Sequence, residues 1–99
     1  MTYQLEITPE AERDIFAIAV NIKLQVTIDA ARKVVAEMRK QLNVLAQSPA
    51  SGRAGGCEGT REIVMKGIPY IAVYEIRDAS VRLLRILHGE DEGRLAIKD

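Results

Sequence analysis

Arg61, Glu62 and His88 are the residues of this chain whose types suit acid–base work on a phosphodiester, and Arg53, Arg82 and Arg85 add cations in the same half. Cleaving RNA at its own 2′-hydroxyl needs a base to take that proton, cations to hold the charge developing on phosphorus, and an acid for the departing 5′-oxygen. A histidine with an unperturbed pKa of about 6.5 suits proton transfer, and an arginine beside it suits phosphate. A plainer role competes. Histidines at strand ends satisfy backbone groups, and an Arg–Glu pair on adjacent strands is an ion pair worth less than ~1 kcal/mol. Cleavage therefore requires Arg61, Glu62 and His88 to meet on one sheet.

The elements that must position them lie within residues 60–89. Three runs rich in β-branched and aromatic residues, separated by Gly-Ile-Pro and a short polar turn, read as an antiparallel meander. Residues 3–7 alternate Tyr3, Leu5 and Ile7 against Gln4 and Glu6, the pattern of a half-buried strand. Thr8-Pro9-Glu10 then starts a helix of about sixteen residues with Ala11, Ile15, Ile18 and Ile22 on one face. Thr27-Ile28-Asp29 starts a second helix, which carries Ala31, Val35, Met38, Leu42 and Leu45 until Ser48-Pro49 stops it. Four glycines make 50–59 a loop, and since it leads into a strand without a Gly-Lys-Ser/Thr ending it is no phosphate loop.

The order is β-α-α-β-β-β, an α+β fold with a helical hairpin on one face of a small antiparallel sheet. Nothing remains to cover the second face, which is then the obvious binding surface. Tyr70 and Tyr74 share one face of a strand, where core packing outweighs a base-stacking role.

Ninety-nine residues make one domain, 1–99, able to bury about two-thirds of its unfolded surface without disulfides. Cys57 is the only cysteine, so neither a disulfide nor a Cys-based zinc site can form within the chain, and a reducing cytoplasm is expected. No basic and apolar leader and no membrane-length apolar run is present, so secretion and a membrane partner are disfavoured. Fourteen basic residues balance fourteen acidic ones, which disfavours direct nucleic-acid binding. The charge is uneven: a mildly basic sheet precedes an acidic tail over 89–99, with Glu90, Asp91, Glu92 and Asp99, which is positioned to shade the strands. No metal or cofactor site is expected.

Gly59-Thr60-Arg61-Glu62-Ile63, Pro69-Tyr70-Ile71-Ala72-Val73-Tyr74 and Val81-Arg82-Leu83-Leu84-Arg85-Ile86-Leu87-His88-Gly89, with Gly52-Arg53 and the helical hairpin before them, resemble the RelE/ParE superfamily of bacterial type II toxins. The resemblance covers residues 1–89 and is strongest to the ParE-like branch. It implies a β-α-α-β-β-β toxin neutralised by a cognate antitoxin, ParD-like or of another type II class, in a hetero-oligomer.

Members resembling ParE act on DNA gyrase without catalysis, whereas members resembling RelE cleave messenger RNA on the ribosome without metal. RelE-like nucleases have an Arg after the first aromatic residue of the strand starting at Tyr70, where this chain has Ile71. They also carry basic and Tyr residues after the last strand, where Glu90, Asp91 and Glu92 stand and would repel phosphate.

The expected function is gyrase inhibition, with Arg53, Arg61, Arg82, Arg85 and His88 near the target surface. Ribosome-dependent cleavage through Arg61, Glu62 and His88 is the first alternative. A toxin-fold protein of weakened toxicity is the second.

Overall fold

The computed structural model describes residues 3–89. The acidic residues of the tail, Glu90, Asp91, Glu92 and Asp99, lie outside them. The element order is β1 (Gln4–Ile7), α1 (Pro9–Gln25), α2 (Ile28–Gln47), a 3-10 turn (Pro49–Ser51), β2 (Arg53–Ala54), β3 (Arg61–Val64), β4 (Tyr70–Arg77) and β5 (Ser80–His88).

Local chemistry sets the helix ends. The Thr8 hydroxyl accepts from Ala11 N at 3.1 Å, Pro9 follows where its missing N–H costs nothing, and Glu10 and Glu12 sit in the positive first turn. Thr27 repeats the cap, accepting from Ala30 N at 3.0 Å. Only Val26 and Thr27 separate the helices, so they pack as an antiparallel hairpin, tied by Arg39 to Glu12 at 3.5 Å.

The sheet has five strands in the order β1-β5-β4-β3-β2. β3, β4 and β5 form the expected antiparallel meander. Two features go beyond the sequence reading. β1 joins β5 in parallel, making the sheet mixed, and Arg53–Ala54 of the glycine-rich stretch pairs with Glu62 and Arg61 as a short edge strand. Gly52 permits that return, because a Cβ there would collide with the Tyr74 hydroxyl and the Glu62 carbonyl.

The helices cover one face. Ala11, Ile15, Met38, Leu42 and Leu45 meet Met65, Tyr70, Ala72, Tyr74, Val81, Leu83 and Ile86 in one core. The two tyrosines are core residues, 8% and 0% exposed. None of the helices described is long and apolar enough to cross a membrane.

β5 changes face midway. Val73 lies opposite Arg85 while Tyr74 lies opposite Leu83, so Leu84 has no cross-strand partner and the strand bulges. Without the bulge, period-two alternation would send Arg85 toward the helices. With it, Ile86 enters the core.

Two placements correct the sequence reading. The second face is not bare: Glu62 is 4% exposed there, and Ile71, which strand alternation puts on the same face, is fully buried. The turn after β2 folds back over Glu62, and its Gly56 N–H donates to the carboxylate together with Arg53 of β2.

Candidate functional site

Acid–base cleavage needs Arg61, Glu62 and His88 together, and the register keeps them apart. Arg61 lies opposite Tyr74 and His88 opposite Tyr70 on the far side of β4. Two strand steps and four residues separate them by about 16 Å. Arg61 and Glu62 are neighbours in β3, so their side chains leave opposite faces.

Each cation is also committed within the fold. Arg61 Nη1 donates to the carbonyls of Gly52 at 3.0 Å and Ala50 at 3.4 Å. Beside it the Tyr74 hydroxyl donates to Pro49 O at 2.7 Å and accepts from Gly52 N at 3.0 Å. Together they clamp the chain between α2 and β2. Burial pushes the Tyr74 phenol above its ordinary pKa, against smaller opposing effects of the Gly52 N–H and the Arg61 charge. The Glu62 carboxylate accepts from Arg53 Nη2 and Gly56 N, both at 3.3 Å. Arg82 meets Glu75, its cross-strand partner, at 3.6 Å.

Arg85 forms the tightest pair. Its Nε donates to Asp14 Oδ2 at 2.6 Å and its Nη2 to Oδ1 at 3.1 Å, a two-pronged contact between β5 and α1. The hydrogen bond to Asp14, then that carboxylate's charge, raises the Arg85 pKa further. Asp14 Oδ2 also accepts from Ile86 N at 3.0 Å. Since β1 reaches only as far as Leu83 along β5, the strand edge beyond it needs other partners. Thr8 donates its N–H to Leu83 O and its hydroxyl to Leu84 O, and Asp14 takes the next N–H.

His88 stacks edge-on to Tyr70, with ring centroids 5.5 Å apart. Both border a shallow hollow with Asp14, Asn21 and Ile86. Burial raises the Tyr70 pKa. Cys57 is exposed in the glycine-rich turn. Among the described residues, no three His, Cys, Asp or Glu side chains converge as metal ligands would.

The sequence reading expects a partner in the groove of the helical hairpin but names none of the apolar residues exposed there. Phe16 and Leu24 are 71% and 76% exposed, with Val20 one turn after Phe16. Their i, i+4, i+8 spacing is a second apolar stripe outside the core-facing one, which was the available signal. With Ile28, Ala31 and Val35 of α2, Phe16 and Val20 line a groove of about 510 Å³. Lys23 and Arg32 are the charged residues along it.

Comparisons with known proteins agree with this architecture. Residues 5–93 match the family described as the ParE toxin of type II toxin–antitoxin system, parDE. "Putative toxin Y4kP" of Sinorhizobium fredii is 42% identical over 64 residues, 65% of this chain and 66% of that relative, so the match spans just under two thirds of its length. A chromosomal ParDE toxin–antitoxin system from P. aeruginosa superposes with a TM-score of 0.82 at 24% identity, over 88% of this chain and 96% of that one. The toxin–antitoxin complex RelBE2 from Mycobacterium tuberculosis superposes with a TM-score of 0.66 at 21% identity, over 89% of this chain and 99% of that one. A mutant of E. coli toxin RelE in the free state does so at 0.66 and 17%, over 99% and 97%.

Proposed function

The chain belongs to the ParE toxin family of type II toxin–antitoxin systems, and from that premise we propose that it arrests growth by binding DNA gyrase and is neutralised by a cognate antitoxin. The observation that carries the binding reading over a catalytic one is the separation of Arg61 from His88, with Arg61 held by loop carbonyls. General acid–base catalysis needs its groups within hydrogen-bond reach of one substrate. Arg53, Arg82 and Arg85 keep 50%, 39% and 52% of their side-chain surface, so cations held in fixed positions still face outward. Such a surface suits recognition of a protein target.

The antitoxin is expected to lay an amphipathic helix along the groove between α1 and α2. Phe16 and Val20 offer apolar contacts on one wall, Leu24 extends their stripe, and Lys23 and Arg32 favour acidic residues flanking the incoming helix. A solvated patch of this kind is what a partner removes from water.

Purified chain should inhibit supercoiling by gyrase at micromolar concentration, and antitoxin should relieve it. Inhibition absent from properly folded protein refutes the gyrase target. Codon-boundary cuts in primer extension on a translated message would establish the nuclease alternative instead, and unimpaired growth of cells expressing the chain alone would establish weakened toxicity.

A further inference from the structure

Arg53, Arg82 and Arg85 each hold a carboxylate, in Glu62, Glu75 and Asp14. Arg61 does not. Its Nη1 donates to the carbonyls of Gly52 and Ala50, and among the described residues no acid pairs with its charge and nothing bonds its Nε or Nη2. A guanidinium presents five donors in a rigid fork, and a carbonyl oxygen, being neutral, takes one of them without cancelling the charge. The clamp on Gly52 and Ala50 therefore fixes the orientation of Arg61 and leaves its charge, and one edge of its fork, available. That edge, Nε with Nη2, is the one with which Arg85 grips Asp14 at 2.6 and 3.1 Å.

The register places this arginine at the limit of the helical cover. Arg61 lies level with Tyr74 of β4 and with Ala54 of β2, so the three share the helix-side face, and Ile76 follows on that face two residues after Tyr74. Tyr74 is fully buried whereas Ile76 is 37% exposed, so the cover ends between them. Beyond that limit Ala54, Gly59, Thr60, Arg61 and Ile76 line a hollow of about 400 Å³. Among the described residues, no acid, no second cation and no helix residue lines it. The Thr60 hydroxyl is turned to its own loop, donating to Cys57 O at 2.6 Å.

We propose that this hollow seats a single carboxylate side chain of a protein partner, with an apolar residue beside it that covers Ala54 and Ile76. A lone guanidinium matches a monoanion in charge, whereas a phosphate dianion calls for a cluster of cations. Arg85 with Asp14 displays the same fork taking that ligand within the chain. Because loop carbonyls already orient Arg61, little side-chain freedom is lost when the acid arrives, and two charge-assisted hydrogen bonds form on a prepared donor. The assignment rests on the reading of the chain as a binding protein, but its test reads the hollow alone, so failure of the gyrase assay and failure of this site are separate results.

The probe is the capped dipeptide acetyl-Asp-Leu-amide, titrated at constant ionic strength to high millimolar concentration into the full chain labelled with 15N. Saturable shifts should appear at the Arg61 Nε–H and at the amides of Ala54 and Ile76. Acetyl-Asn-Leu-amide, which keeps the shape without the charge, should bind about tenfold more weakly, and inorganic phosphate should also bind more weakly than the aspartyl peptide. Ile76→Glu places an acid diagonally across from Arg61, within reach of a long side chain. In that variant the Arg61 Nε–H should shift without any peptide, and peptide binding should fall about tenfold. An Arg61 Nε–H that does not move, equal binding of the two peptides, or tighter binding of phosphate overturns the proposal. Should Ile76→Glu not fold, the two peptides and phosphate against the unaltered chain decide alone.

Discussion

At the residue scale, Tyr74 and Asp14 each tie together segments far apart in the chain. Tyr74 is fully buried, and its hydroxyl ties Pro49 and Gly52 to the centre of the sheet. Removing it leaves two backbone groups short of a partner, so Tyr74→Phe should cost about 1–2 kcal/mol in chemical denaturation. The same variant tests the raised phenol pKa. Burial favours the protonated phenol in the folded state, so this contribution is intact below the ordinary tyrosine value of 10.0 and is lost as pH climbs from there through the higher folded value. Stability measured across that alkaline range should fall less steeply for Tyr74→Phe than for the unaltered chain. Asp14 holds both Arg85 and Ile86 N. Asp14→Ala should therefore cost about 2 kcal/mol, whereas Arg85→Ala, whose side chain is half in water, should cost less than ~1 kcal/mol. Equal losses would mean that the ion pair, and not the strand-edge bond, carries Asp14's contribution.

At the scale of elements, α1 works on two sides. One stripe, Ala11 and Ile15 with Ile18 behind them, enters the core, and the other, Phe16, Val20 and Leu24, faces solvent. Because the second stripe is already hydrated, Phe16→Asp and Leu24→Asp should leave folding stability within about 0.5 kcal/mol. The same substitutions should abolish rescue of growth by co-expressed antitoxin, read as colony formation. Rescue that persists in the double variant would move the antitoxin off this groove. In β5 the bulge at Leu84 decides which residues serve the core and which the outer surface. The adjacent apolar residues Leu83 and Leu84 interrupt strict alternation, which is the trace the bulge leaves in the sequence.

At the scale of the molecule, binding one target arrests one process first. Inducing the chain without antitoxin should halt incorporation of labelled thymidine before labelled amino acids, as gyrase inhibition demands. The opposite order would favour an attack on translation.

What the amino-acid sequence determined by itself was local. Thr8-Pro9 and Thr27 define helix starts through their own hydroxyls, Ser48-Pro49 ends the hairpin, and the Gly-Ile-Pro and Asp-Ala turns fold the meander back on itself. These signals act over a few residues, so they survive without knowledge of the rest of the chain. The family motifs within residues 52–89 were legible for the same reason. Tertiary structure alone decided that β1 lies parallel to β5, that two residues of a glycine-rich stretch pair with β3, and that Glu62 is covered. It also decided that Arg61 and His88 stand on opposite sides of β4, Arg61 level with its middle at Tyr74 and His88 level with its start at Tyr70. Each of these depends on pairing register between segments far apart in the chain, and one residue of slip or one bulge reverses which side chains share a face.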